Sequence, residues 1–419
     1  MEVALPYGMQ QRRVRVPEHT LVVRSRVTPP LPDPHATFAA AVQSPLATEP
    51  LATMTRPAAQ VAIVISDITR PTPNHLLVPW ILETLAFVPR EHFVILVGNG
   101  SHRAMTTSEL VQMLGEDIVN TIPIVNHDAT DPSMLAYLGT TATGVPVWVN
   151  RYYLEADLRI VTGFIEPHFF AGFSGGPKGI IPGLAGLETI QALHSAALID
   201  HPRSTWMLLD DNPIHQAIHA AVALCPPEFL INVTLDPAHR ITGIFAGEYR
   251  STHRCGCEHL SQDAPIVDQQ RFDLVITSNA GYPLDQNLYQ SVKGMTAAAR
   301  LIGPGGTIVL VAECRDGLPA HGAYHQLLTS APTFAALLDM VRQPGFQSAD
   351  QWQVQKQALV LEQAQVYLHS SLDDSVVETT WLTPAPDLQA TVDELVTGYG
   401  PRCRVAVLPE GPMTVMQVI

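Results

Sequence analysis

A series of short apolar runs, each closed by a polar or glycine-bearing loop, constrains this chain most. Residues 61–65 read Val-Ala-Ile-Val-Ile, 93–97 read Phe-Val-Ile-Leu-Val, and further runs follow at 122–125, 158–162, 229–235, 272–276 and 307–311. Runs this short and this apolar are expected of strands buried on both faces of a parallel sheet. Between them the spacing predicts helices over 76–85, 108–114, 213–224 and 287–299, then 333–341, 353–367 and 388–398. Strand–helix alternation of this kind predicts an α/β fold with two doubly wound domains, mainly parallel sheets and an interdomain cleft. Composition turns irregular over 249–265, which reads as a linker. The expected organisation is therefore an N-terminal domain over 1–265, a C-terminal domain over 266–400, and a terminal strand within 401–419 that joins either one. The first fifty residues carry β-like pieces broken by prolines and read as an outer segment packed on the first domain.

Composition narrows the function. The formal net charge of the 419-residue chain is −15, with no basic run, which argues against nucleic acid or an anionic membrane as the partner. No stretch approaches the roughly 18 apolar residues of a membrane span, and the N-terminus has no signal-peptide pattern. Five cysteines form no disulfide framework. A cytoplasmic protein is the expectation.

In a doubly wound sheet, ligands gather outside the carboxyl ends of the strands. The polar signatures sit at those ends: Asp67 and Arg70 after the first run, His102 and Arg103 after the second, His168 after the fourth. Three loops can thus converge on one crevice. The last of them opens residues 166–195, where Gly172, Gly175, Gly176, Gly179 and Gly183 surround Lys178 and lead toward His194. Glycines in such a run let backbone pass close to a ligand and aim N–H groups at an anion. From Leu187 the pattern turns helical, placing a helix start where a phosphate would sit and His194 about two turns further on. On chemistry alone this is an anionic cofactor beside an amine and imidazoles. A phosphotransferase reading is weak, because Ser-Gly-Gly-Pro-Lys-Gly has neither the spacing nor the terminal Lys-Ser/Thr of a phosphate-binding P-loop.

Four segments in order, Ser66-Asp67-Ile68-Thr69-Arg70-Pro71, Gly-x-x-Ser-His102-Arg103, Asn126-His127-Asp128-Ala129 and residues 166–195, resemble the nickel-dependent lactate racemase family. The similarity runs from Leu5-Pro6-Tyr7-Gly8 to at least Trp352. One departure is a serine, Ser101, where the family more usually has threonine before the histidine. The resemblance implies a nickel-pincer nucleotide, a pyridinium-3-thioamide-5-thiocarboxylic acid mononucleotide holding nickel and joined covalently to Lys178. It implies His194 as the protein ligand to nickel, and Gly175, Gly176 and Gly179 as part of the cofactor loop. By the same resemblance His102 and His168 are the paired catalytic acid and base. Arg70, Gln290 and Lys293 contact substrate, with Asp67, Tyr289 and Trp352 supporting the pocket. Cofactor-maturation enzymes are implied as partners.

The chemistry agrees with that assignment. The Cα proton of a 2-hydroxy acid is too weakly acidic for an imidazole, whereas a hydride route needs only the hydroxyl proton removed. The planar keto acid then takes hydride on either face, and each enantiomer requires its own base. The function expected is racemisation or epimerisation of a small 2-hydroxy acid, with lactate the default. Malate, longer 2-hydroxy acids and sugar acids are alternatives within the family. A non-catalytic nickel- or nucleotide-binding protein is the alternative outside it. One motif falls outside the resemblance. His253, Cys255, Cys257 and His259 offer four metal ligands in seven residues, but Cys-x-Cys is not the usual structural zinc spacing. Of the 17 histidines, His127, His201, His215, His219 and His239 read as ordinary packed or surface residues.

Overall fold

The alternating runs build two six-stranded sheets. The computed structural model describes residues 1–25, 28–262, 264–267, 272–319 and 323–418. In the first sheet the spatial order is Ile241–Gly247, Phe229–Leu235, Leu158–Phe164, Val61–Ser66, Phe93–Gly98, Ile124–Asn126. Every neighbour pairs in parallel except the Ile241–Gly247 edge, which returns antiparallel beside Phe229–Leu235. Val61, Ala62, Ile63, Val64 and Ile65 are all buried, because helices cover both faces of this central strand. The chain leaves Val61–Ser66 toward one edge and later returns to its other side, so the loops after the central strands diverge there and leave a crevice.

The second sheet runs Thr383–Pro384, Ala364–His369, Ile302–Val311, Phe272–Ser278, Val405–Leu408, Leu21–Val22, with parallel pairing throughout. The C-terminal strand thus joins this sheet. The chain's beginning does as well, contrary to the expectation that it packs on the first sheet. The hairpin Glu2–Tyr7/Gln10–Arg15 lays Val3, Leu5, Tyr7 and Val14 against Leu274, Ile276, Val309 and Val311. Its alternating pattern announces one buried face and says nothing about which sheet receives it. Asp285 anchors the hairpin turn, accepting the Gly8 N–H at 2.6 Å.

Two other expectations change. The predicted helix over 353–367 is a helix only over Gln351–Leu361. Ala364–His369 is a strand beside Ile302–Val311, and burying Val366 and Leu368 on that sheet outweighs the continuing helical pattern. The expected linker at 249–265 contains a 14-residue helix, Tyr249–Gln262, burying Tyr249, Thr252, His253, Gly256 and Cys257. Those positions recur at helical spacing, but most are polar or small, so no apolar stripe reveals them. Among the described residues no helix is long and apolar enough to cross a membrane.

Candidate active site

Where the carboxyl ends of the first sheet face the second, a cavity of about 170 Å³ opens into a wider cleft of about 550 Å³. Asp67, Arg70, His102, His168, Gly175, Lys178, Gly179 and His194 all line the cavity from the first sheet's side. Tyr289, Gln290, Lys293 and Trp352 close it from the second. Of the residues that the resemblance assigns to the site, only Gly176 lies off that wall. Its backbone is left-handed (φ +55°), and a Cβ there would lie 2.4 Å from the His253 ring on the far side of the loop.

Each histidine is held differently. His102 donates from Nδ1 to Asp67 Oδ2 at 2.6 Å, which leaves the Nε2 lone pair free. Asp67 is buried, which by itself raises a carboxyl's pKa. His102, Arg70 and the Thr69 N–H and hydroxyl (3.1 and 2.6 Å) outweigh burial and hold it at about 2. His168 receives the Phe170 and Ala171 N–H groups at Nδ1, 3.5 and 3.3 Å away, so a neutral ring carries its proton on Nε2. Burial, then Lys178, Lys293 and Arg70, push its pKa well below the ordinary histidine value. His194 caps the seven-residue helix Leu187–Leu193 and does not lie inside a longer one. The chain restarts as Ala196–Asp200. That break lets His194 Nδ1 donate to Ile190 O at 2.7 Å and frees Nε2 as a ligand atom. Burial, then Lys178, lowers His194 to about 4, so it is unprotonated at neutral pH.

The amines are under the same strain. Lys178 and Lys293 are both pushed down to about 7, first by burial and then by Arg70, with Lys293 also repelling Lys178. Arg70 reaches only Thr69, at 3.4 Å to its carbonyl and hydroxyl, and pairs with no carboxylate among the described residues. The neighbouring Asp67 carboxylate pairs with His102. In a chain of net charge −15, this concentration of unneutralised cations selects anions. Lys293 hydrogen-bonds Gln290 Oε1 at 3.0 Å, and Trp352 Nε1 donates to the Tyr289 hydroxyl at 3.2 Å.

Two further residues belong here that residue-by-residue reading passed over. Phe170 stands edge-on to His168 (4.4 Å between ring centroids) and to His194 (5.2 Å), with Lys178 Nζ 5.5 Å from its ring centre. Gln353 lines the cavity and bonds the Tyr289 carbonyl. The Phe-Phe pair following His168 was the available signal for the first; nothing marked the second.

The site fits the group that the motifs imply. Lys178 offers a buried amine with a substantial neutral fraction near pH 7, in a loop whose Gly175, Gly179 and Gly183 line the cavity and pack too tightly against Asn232, Val161 and the loop's own backbone to carry a side chain. His194 presents an unprotonated imidazole nitrogen, a donor suited to Ni(II). Arg70 and Lys293 supply charge for a phosphate or a carboxylate.

The chain is similar to known proteins over most of its length. The lactate racemase N-terminal domain family matches residues 7–207, and the lactate racemase C-terminal domain family matches 267–416. A lactate racemase of Lactiplantibacillus plantarum is 38% identical over 375 residues, covering 88% of each chain. One from Thermoanaerobacterium thermosaccharolyticum is 35% identical over 380 residues, 90% of this chain and 89% of its own. The structure of a lactate racemase apoprotein from that same species superposes with a TM-score of 0.91, at 32% identity over the whole of both chains. A Thermotoga maritima protein shares the fold at TM-score 0.70 and 18% identity, covering 92% of this chain and 97% of its own. With both domains matched and these identities across the chain, the protein is an enzyme, an isomerase, and belongs to the lactate racemase family.

Proposed function

We propose that this chain racemises a small 2-hydroxy acid, with lactate favoured, through a nickel-pincer nucleotide joined to Lys178 and liganded by His194 Nε2. When bound, that group supplies reversible acceptance of hydride from the substrate's Cα. The chain supplies the rest. Arg70 presents its planar fork to the substrate carboxylate from the first sheet, and Lys293 adds charge from the second. The Asp67 carboxylate fixes the neutral His102 ring with its proton on Nδ1, so Nε2 is the atom that takes the hydroxyl proton of one enantiomer, and Asp67 steadies the imidazolium that forms. His168 Nε2 holds a proton for the oxygen when product of the other hand forms. In the reverse direction the roles exchange. Burial first, then the unneutralised Lys178, Lys293 and Arg70, make His168 ill-suited to gain a proton. Phosphate and carboxylate in the cavity offset the cations' share of that effect. Trp352 and Tyr289 brace the cavity wall, and Trp352 packs 4.6 Å from the His194 ring.

One observation carries the proposal: two differently wired histidines, a buried lysine and a third, unprotonated histidine line one cation-rich cavity. The five unpaired cysteines suit a reducing compartment, and we place the enzyme in the cytoplasm with maturation enzymes that load it. The test is a panel of single-enantiomer 2-hydroxy acids incubated with loaded enzyme and followed by chiral chromatography. Lactate should lose optical purity from either enantiomer. Racemisation confined to malate or sugar acids would overturn the substrate assignment, and no racemisation of any acid by loaded enzyme would overturn the activity.

A further inference from the structure

Behind the glycine loop, three histidines that line no part of the cavity converge. His215 and His219 stand one turn apart on one face of the helix Pro213–Val222, and His253 comes from Tyr249–Gln262. One ring nitrogen from each lies within 4.8 Å of the other two. The His215 and His219 rings meet edge to face at 4.4 Å between centroids, and His253 stacks on His215 at 5.8 Å. The Cys-x-Cys run of the sequence does not form this cluster. Of its four candidate ligands only His253 takes part: Cys257 Sγ contacts His253 Nε2 at 3.4 Å, and His259 packs on Phe245.

Two details distinguish the cluster from packed core histidines. His253 Nε2 lies 2.9 Å from Ser174 O; a carbonyl only accepts, so Nε2 carries the hydrogen and Nδ1 keeps a lone pair. A backbone carbonyl orienting the second nitrogen is the usual support of a metal-bound imidazole. His219 Nδ1 is buried with no hydrogen-bond partner among the described residues, a state that is costly unless another atom bonds it. Burial above all lowers the pKa of the three rings, helped by His219 and His253 at His215, by Arg250 and His253 at His219, and by Lys178 and Arg254 at His253, so they are neutral at physiological pH, the form that binds metal. His219 is only part-buried, which gives an ion a path from solvent.

We propose that His215, His219 and His253 form a metal site for a divalent ion of borderline softness such as Zn²⁺, separate from His194, that fixes the back of the cofactor loop. At the limit of a 4.8 Å spread an ion would sit about 2.8 Å from each nitrogen, against about 2.0–2.1 Å for a zinc–imidazole bond. Small side-chain rotations close that gap. The link to the loop is direct: His253 bonds the Ser174 carbonyl and its ring fills the space beside Gly176, two residues from Lys178. A fourth position remains for water.

The test uses the full-length protein made without maturation enzymes, stripped with chelator, and titrated with Co²⁺ and then Zn²⁺. One Co²⁺ per chain should bind with the intense visible absorption of four-coordinate cobalt, yield to Zn²⁺, and raise the melting temperature. His215→Ala combined with His219→Ala should abolish that binding, and the milder His219→Gln should weaken it in a chain with native circular dichroism. His194→Ala and Lys178→Ala should leave it intact. Unchanged stoichiometry in the double variant would assign the ion to other histidines and overturn the proposal. So would loss of binding in His194→Ala, or no Co²⁺ uptake by the folded wild-type chain. None of these outcomes depends on the racemase reading.

Discussion

Asp67→Asn isolates one link of the site, since it changes a single atom type and Asp67 acts on His102. Asp67 Oδ1 accepts from the Thr69 N–H and hydroxyl while Oδ2 accepts from His102 Nδ1. An amide has one acceptor side. Turned one way, it points NH₂ at Thr69's donor; turned the other, it points NH₂ at His102 and forces the ring proton onto Nε2, where the base must be empty. Either way the charge that steadies a protonated His102 is gone. Loss of well-placed general acid–base catalysis costs about 10²–10⁴-fold, and with the ring still in position the lower end applies, a fall in kcat of about 100-fold. KM for lactate should barely move, because Arg70 and Lys293 are untouched. Stability offers an independent readout. Holding the Asp67 carboxyl at about 2 against an ordinary 3.8 corresponds to on the order of 2 kcal/mol at 1.36 kcal/mol per pH unit. That contribution is present above pH 4 and is lost as pH falls toward 2; the variant lacks it throughout. The assay is lactate racemisation from each enantiomer on enzyme with verified cofactor content. An Asn variant with wild-type kcat, or one altered only in KM, would refute the role given to Asp67.

Other perturbations report on other residues. Lys178 and Lys293 titrate near 7 when folded and near 10.5 when unfolded. The unloaded protein should therefore gain stability between pH 7 and 10, on the order of 4 kcal/mol per lysine; a flat urea midpoint across that range would contradict their burial as charged groups. His194→Ala should keep the Lys178 adduct yet lose most of its nickel, read by mass spectrometry and metal analysis on the same sample. Lys293→Gln should raise KM for lactate far more than it changes nickel content, as seen in parallel kinetic and metal assays. Inorganic phosphate should raise the melting temperature of the unloaded wild type more than that of Lys293→Gln, because it neutralises the cavity's cations.

The sheet architecture was legible because apolar runs such as 61–65 admit only a doubly covered strand, and the site was legible because doubly wound sheets gather ligands at strand ends. What escaped the sequence shares a cause. Helix Tyr249–Gln262 buries a histidine, a threonine and a glycine, so its inward face has no hydrophobic period. His215 and His219 look ordinary in line, since only the fold brings a third imidazole from another helix to meet them. His194 sits at a helix break set by tertiary contacts, among them Gln351 Nε2 reaching its carbonyl at 3.5 Å. The N-terminal hairpin shows an apolar face in sequence, but its docking on the second sheet depends on residues more than 250 positions away.

The most direct test of the central claim is intact mass and nickel content of denatured protein co-expressed with the family's maturation enzymes, beside Lys178→Ala. A nucleotide-sized adduct should be carried by the wild type and absent from the variant, with about one nickel per chain in the native wild-type sample. An unmodified wild-type mass, from cells in which an authentic lactate racemase acquires its adduct, would contradict it.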